Sequence, residues 1–201
     1  MLPFIKTGRP KTAYQRSDRS LDWFAFFVAN LQAGFGPFVS VYLTSERWTQ
    51  TDIGLVLTVG GIAGLVLQIP GGAIVDETRK KRTLAAWSVV LVGLSAFAFV
   101  ISPAFPVILA AWLLHAAASA TLTPALAAIS LGLAGHGGMA RRLGRNASFG
   151  SLGNAVAAGI MGAIGYLVSN QAVFLVTAML AIPALIALRG IDQEQVDPFA
   201  G

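Results

Sequence analysis

The sequence predicts an all-α membrane protein of six membrane-spanning helices with both termini on the cytoplasmic side. Three observations carry this reading. The 201-residue chain is 55% hydrophobic and 11% charged, with a mean hydropathy of +0.70, whereas a soluble domain carries about 25% charged residues. Its charges are clumped: no Asp, Glu, Lys or Arg occurs from Trp23 to Ser45, Ile53 to Val75, Thr83 to Ala140, or Asn146 to Leu188. The Lys and Arg residues between these runs fall almost wholly on one side of the implied bilayer.

The elements follow in order. Residues 1–20 are basic and polar and are expected to form a disordered cytoplasmic tail. The first span, 23–43, outlasts the 7–15-residue apolar core of a secretory signal and lacks a small-residue cleavage site, so it is read as an uncleaved helix. Gly34-Phe35-Gly36-Pro37 should bend it. The second span covers 53–75 and contains Gly60-x-x-x-Gly64. Asp22 and Asp52, at the span edges, are expected to cap the first and second helices. Six charged residues crowd the turn from Asp76 to Arg82. The third span is 83–101. The third charge-free run is long enough for two spans of about 20 residues each, and Ser102-Pro103-Ala104-Phe105-Pro106 divides it. The fourth span is therefore 107–132, with a bend at Pro124. A basic turn holding Arg141, Arg142 and Arg145 leads to the fifth, 147–167. Gly150, Asn154, Ala158 and Gly162 form a small or polar stripe along it, read as a packing face. Ser169-Asn170-Gln171 separates the sixth span, 171–188. Residues 21–190 thus form one bundle, and 191–201 a cytoplasmic tail or the start of a linker.

Orientation comes from the basic residues. Lys6, Arg9, Lys11, Arg16 and Arg19 precede the first span; Arg79, Lys80, Lys81 and Arg82 follow the second. Arg141, Arg142 and Arg145 follow the fourth, and Arg189 ends the sixth. Arg47 alone lies on the opposite side. Cytoplasmic turns collect Lys and Arg, which places both termini in the cytoplasm and the chain in a cytoplasmic (inner or plasma) membrane. This bias also explains the net charge of +5 and the pI near 10.1. Each basic cluster abuts a span, so nucleic acid is not an expected partner. The chain has no cysteine, hence no disulfide, thiolate metal site or thiol nucleophile.

Gly72-x-x-x-Asp76 followed by Lys80-Lys81, in the turn after the second of six spans, resembles motif A of the major facilitator superfamily. From about Ser20 to Arg189 the chain looks like the N-terminal six-helix half of such a transporter. Arg79 stands where that family usually has glycine. His115 and Ser119 are similar in position to an intramembrane arginine and the glycine four residues after it. The glycine-proline motif of antiporters is missing from the fifth span. The resemblance implies transport of a small solute by alternating access. It also implies a gating role for Gly72, Asp76, Lys80 and Lys81, with Asp76 contacting a helix of the other half. A second copy of the chain or a separate C-terminal half would then be the partner. On charge alone, Asp76 could merely cap its turn and the basic run anchor it at headgroups.

Polar groups inside spans normally face a partner or an aqueous cavity. Asn30, Gln32, Gln68, His115, Thr121, Thr123 and Asn154 all fall on the helices that line the cavity of the resembling fold. Asn30, Gln32, His115, Thr123 and Asn154 are the candidate solute-binding residues. His115 is either a proton-binding group near neutral pH or a neutral histidine hydrogen-bonded for packing. No second histidine or carboxylate lies at ligand spacing, so no metal and no cofactor is expected. Gly150-Ser151-Leu152-Gly153 lacks the glycine two residues before the serine that a nucleophile elbow requires, and an enzyme is not expected. A cavity without fixed charge fits a neutral or amphipathic solute. The competing class is a non-transport membrane scaffold or regulator that pairs with a transporter half.

Overall fold

The computed structural model describes residues 11–196, and the regular elements among them are all helices: α1 (Lys11–Ala33), α2 (Pro37–Ser45), α3 (Gln50–Glu77), α4 (Lys81–Ile101), α5 (Phe105–Leu167), α6 (Asn170–Met179), α7 (Ala181–Arg189) and α8 (Gln193–Val196). Five stretches are long and apolar enough to cross a membrane: Tyr14–Ser45, Gln50–Glu77, Lys81–Ile101, Phe105–Leu167 and Asn170–Arg189.

At 1.5 Å per residue, the 63 residues of α5 would run to about 95 Å if straight, three times the hydrocarbon thickness. They do not run straight. Gly135 takes φ 64° and ψ 173°, a conformation open essentially to glycine alone. The chain reverses there. Asn146 Nδ2 donates to Ser130 Oγ at 2.7 Å, although sixteen residues of continuous helix would separate them by about 24 Å. α5 is therefore two antiparallel arms, 105–134 and 136–167. The basic segment expected as a turn between 132 and 147 is helical apart from this one residue, and Pro124 lies inside a helix that continues through it.

The first stretch does break where its glycines and proline stand. α1 ends at Ala33 and α2 begins at Pro37, a proline suited to the first helical turn, where its missing N–H costs nothing. Within the break, Phe35 N bonds Gln32 O at 3.2 Å and Gly36 N bonds Ala33 O at 3.2 Å, so little backbone is left unpaired in hydrocarbon. Pro183 has no N–H to offer Met179, and the last stretch parts there into α6 and α7. Thr49 caps α3: its Oγ1 accepts from Asp52 N at 3.2 Å and donates to the Asp52 carboxylate at 2.7 Å. Ser169 caps α6 through Ala172 N at 3.0 Å.

The 105–134 arm lies between α3 and α4, and the 136–167 arm packs on α1. Small residues permit these approaches. A Cβ on Gly71 would lie 2.5 Å from the Ala120 carbonyl oxygen, and one on Gly153 would lie 2.5 Å from that of Phe26. The packing stripe of the second arm is thus Gly153, Ala157 and Met161, all buried. The expected stripe of Gly150, Asn154, Ala158 and Gly162 is half-buried at Gly150 and otherwise exposed, because a helical face rotates by 100° per residue and the apolar contacts selected its neighbour. Elsewhere Phe35, Tyr42, Phe99 and Phe174 form an aromatic core, with Phe99 and Phe174 stacked at 4.7 Å. Its one hydroxyl is satisfied, Tyr42 Oη donating to Phe99 O at 2.9 Å.

Two tail expectations need correction within the described residues. Residues 11–20 are helical and begin α1, while Gln195 and Val196 of the second tail are buried as part of α8. Residues 1–10 and 197–201 of those tails lie outside the described residues.

Backbone strain at the reversal is directly testable. Gly135→Ala should destabilise by about 1–2 kcal/mol, because a Cβ is strained at this positive φ whatever the space around it. Gly137→Ala, in helical backbone with open surroundings, should be neutral or stabilising by up to about 1 kcal/mol. Thermal unfolding midpoints in one detergent compare the two; equal losses would disprove the role of Gly135.

Candidate functional site

A cleft of about 700 Å³ opens between α3 and the 105–134 arm of α5. Its α3 wall carries Gly60, Gly64, Gln68 and Gly72, every fourth residue and hence one helical face. Its α5 wall carries Trp112, His115, Ser119 and Thr123, again at helical spacing. Gly60 lets Trp112 in: a Cβ there would fall inside the indole ring. Glycine steps on one wall and large rings on the other therefore set the shape.

This cleft is mainly apolar, with a few uncharged polar side chains. His115 stacks on Phe35 with ring centroids 3.8 Å apart and lies 5.6 Å from Trp112, nearly parallel to it. Its Nε2 is 3.4 Å from Ser119 Oγ, the residue matched to it in the sequence motif. His115 Nδ1 and Trp112 Nε1 are buried and meet no hydrogen-bond partner among the described residues. Leaving buried polar groups unpaired costs about 1–3 kcal/mol each, and both atoms lie within the packing beside the cleft. Gln32 reaches the cleft from α1, donating to Thr123 Oγ1 at 3.4 Å.

The structure brings together only some of the residues selected from the sequence. His115 and Thr123 line the cleft, as does Gly72 of the gating motif, and Gln32 touches it. Asn30 does not: it is buried, donates to Phe26 O of its own helix at 2.9 Å and packs against Gly153. Asn154 is exposed on the 136–167 arm, away from the cleft lining. Trp112 was not selected, since tryptophan in an apolar span reads as packing; its place three residues before His115, on the same helical face, was the available signal. At the end of α3, Lys81 Nζ donates to the carbonyls of Val75 at 3.0 Å and Thr78 at 3.2 Å, capping that helix. Lys80 and Asp76 are exposed, and Asp76 has neither hydrogen bond nor ion pair among the described residues.

A second polar assembly lies where α1 meets both arms of α5. Arg142 is buried, its side chain 3% exposed. Its Nη1 donates to Asp18 Oδ1 at 2.7 Å, its Nη2 to Asp22, and its Nε to Asn146 Oδ1 at 2.9 Å. Asn146 passes the chain to Ser130, which bonds Leu126 O at 2.7 Å. Arg145 binds the same two carboxylates from a half-exposed position. Asp22 is thus an ion-pair partner rather than a helix cap, held by the buried Arg142 and the half-exposed Arg145. The physical reason is that a carboxylate at the margin of hydrocarbon is stable only when paired. Asp18 and Asp22, four apart on one helix face, were the sequence signal for it.

Comparison with known proteins agrees with this architecture. Residues 23–200 match the family model described as Major Facilitator Superfamily. Two Mycobacterium tuberculosis proteins, from strains CDC 1551 / Oshkosh and ATCC 25618 / H37Rv and each described as an uncharacterized MFS-type transporter, are 42% identical over 186 residues. The match covers 90% of this chain and 44% of each relative, so the chain spans less than half the length of the curated relatives it matches.

Arg142→Ala leaves two buried or half-buried carboxylates short of a partner and should cost about 3–5 kcal/mol, whereas Arg145→Ala, removing a half-exposed group, should cost under about 1 kcal/mol. Thermal unfolding midpoints in detergent measure both, and an Arg142→Ala variant as stable as the wild type would refute the assignment. In the cleft, Gly60→Ala should cost about 1–3 kcal/mol by displacing Trp112. Gly64→Ala, with open space at its Cβ position, should leave the midpoint unchanged within about 0.5 kcal/mol.

Proposed function

The chain belongs to the Major Facilitator Superfamily, and from that membership we propose that it contributes one wall of a pathway that moves a small solute across a cytoplasmic membrane by alternating access. The observation that carries this reading is the cleft between α3 and α5. It is an open, mainly apolar recess lined by a few polar side chains, Gln68, His115, Ser119 and Thr123. Pockets that bind small molecules combine apolar walls with a few placed polar groups. The cleft lining contains no Asp, Glu, Lys or Arg, which supports a neutral or amphipathic solute, with His115, Thr123 and Gln68 as its polar contacts and Gln32 beside them. Asn30 serves packing in this reading, and Asn154 faces outward toward the partner.

Six spans fit the chain best, with the two arms of α5 counted separately and both termini cytoplasmic. The reversal at Gly135 and the Asn146–Ser130 bond support the count, and the one-sided basic residues support the orientation. Alternating access rocks two such bundles about a shared site. The 44% coverage of the relatives supports a second bundle as the complement, whether from a second copy, a separate chain or further residues of the same one. Asp76, exposed and unpaired at the end of α3, is free to hold that bundle at its cytoplasmic edge. Gly72 gives it clearance, and Lys80 and Lys81 fix the turn.

The absence of native cysteine makes the test simple. Single cysteines are placed at Thr123, Arg47 and Arg79 in membrane vesicles of both orientations and exposed to a membrane-impermeant maleimide. Thr123→Cys should react from either face, Arg47→Cys from the outer face only and Arg79→Cys from the cytoplasmic face only. A Thr123 cysteine closed to both faces would exclude the pathway and favour a scaffold role. Arg47 and Arg79 reacting from the same face would exclude the topology.

A further inference from the structure

We propose that the groove between α4 and α7 is a binding site for an anionic phospholipid. This groove of about 350 Å³ is separate from the solute cleft, with which it shares no lining residue. Its chemistry is graded along its length. Arg82 and Thr83 stand in the first turn of α4, and Arg189 in the last turn of α7, so the two antiparallel helices bring both cations to the same end. Farther along, Ala86 and Val90 face Leu185 in an apolar channel. From Arg82 to Val90 is about 12 Å of helix. One end is cationic and hydrogen-bonding and the rest is hydrocarbon, which is the profile of an amphiphile.

Among the described residues, no carboxylate neutralises these cations. Arg82 spends one N–H on Ile191 O at 2.6 Å, and a guanidinium has five. Arg189 is exposed, and among the described residues it makes no hydrogen bond or ion pair. No carboxylate lines the groove. Asp192, the nearest one in sequence to Arg189, is turned to α8, where it accepts from Glu194 N at 3.1 Å and Gln195 Nε2 at 3.3 Å. Trp87 stands on the rim, 63% exposed, in the manner of an interfacial aromatic whose ring sits at headgroup depth.

The surroundings select a lipid over a free anion. Ile182 and Ile186 of α7 and Leu94 of α4 continue the groove into an exposed apolar face that in a multi-pass membrane protein meets acyl chains. An occupant that fills both parts must carry a phosphate and a hydrocarbon tail together, and basic pockets between membrane helices attract such headgroups. The two arginines and the Thr83 hydroxyl would take the phosphodiester, with the first part of one acyl chain along Val90 and Leu185. This site is independent of the transport reading, since no residue of it touches the solute cleft.

Native mass spectrometry of the full chain in mild detergent, titrated with phosphatidylglycerol, phosphatidylcholine or inorganic phosphate, tests the proposal. Phosphatidylglycerol should be retained at least about tenfold more tightly than phosphatidylcholine, since two cations near an anionic headgroup contribute on that order. Arg189→Gln should remove most of this preference; it leaves the Arg82–Ile191 contact and hence the fold untouched. Ala86→Phe, which fills the apolar channel and keeps both arginines, should weaken retention as well. Equal retention of the two lipids, or retention unaffected by either variant, would overturn the site. Displacement of phosphatidylglycerol by millimolar inorganic phosphate, with Ala86→Phe silent, would also overturn it by marking a simple anion site.

Discussion

The buried guanidinium of Arg142 is the interaction on which the assembly of this bundle depends. A cation at 3% exposure beside hydrocarbon is unstable unless every N–H finds an acceptor and its charge is matched. Asp18 and Asp22 of α1 supply the charge, the Asp18 carbonyl oxygen a further acceptor, and Asn146, one turn beyond Arg142 in α5, another. Because Asn146 in turn holds Ser130 on the opposite arm of α5, the demand of one side chain ties three helical segments together at a single end of the molecule. Lipid offers no hydrophobic force to draw helices together. Polar satisfaction of this kind and the close approaches made through small residues do that work instead.

The glycines of α3 have contrasting consequences along its length. Where Gly60 and Gly71 face the 105–134 arm, the helices come close enough for Trp112 to lie over a bare backbone and for Ala120 to meet one. Where Gly64, Gln68 and Gly72 face the opening between them, the same lack of side chains leaves a recess. One glycine-rich helix thus makes both the tightest contact and the candidate site. Beside it, His115 Nδ1 and Trp112 Nε1 are buried without a hydrogen-bond partner among the described residues. Leu65 and Ile69, 68% and 84% exposed, show how little of α3 the rest of the described chain covers. That exposure agrees with a helix standing at the margin of its bundle.

Much of this was legible in the sequence because its causes are local. Apolar length and Gly34-Phe35-Gly36-Pro37 at the α1–α2 break act over a few residues, whereas the cap of α3 was expected at Asp52 and is Thr49. His115 and Thr123 could be picked because polar groups in an apolar run are rare. Asn30 could not be separated from them by the same argument. Its amide is satisfied by Phe26 O one turn earlier, and whether a polar group bonds its own helix or faces a cavity depends on rotation about the helix axis. The stripe of the 136–167 arm failed likewise: Gly153, not Gly150 or Asn154, meets α1, a difference of one step around the helix.

The sequence by itself determined that this chain is a helical membrane protein, where most of its spans lie and which ends carry the basic residues. Hydrophobicity, helix breaks and charge are summed along the chain and need no partner. Only the tertiary structure decided that Gly135 alone reverses α5, that Arg142 is a buried ion-pair centre, and that Trp112 shares a cleft with His115. Each of these is set by which face of one helix meets which face of another, and facing is a property of pairs of helices that no single stretch of sequence contains.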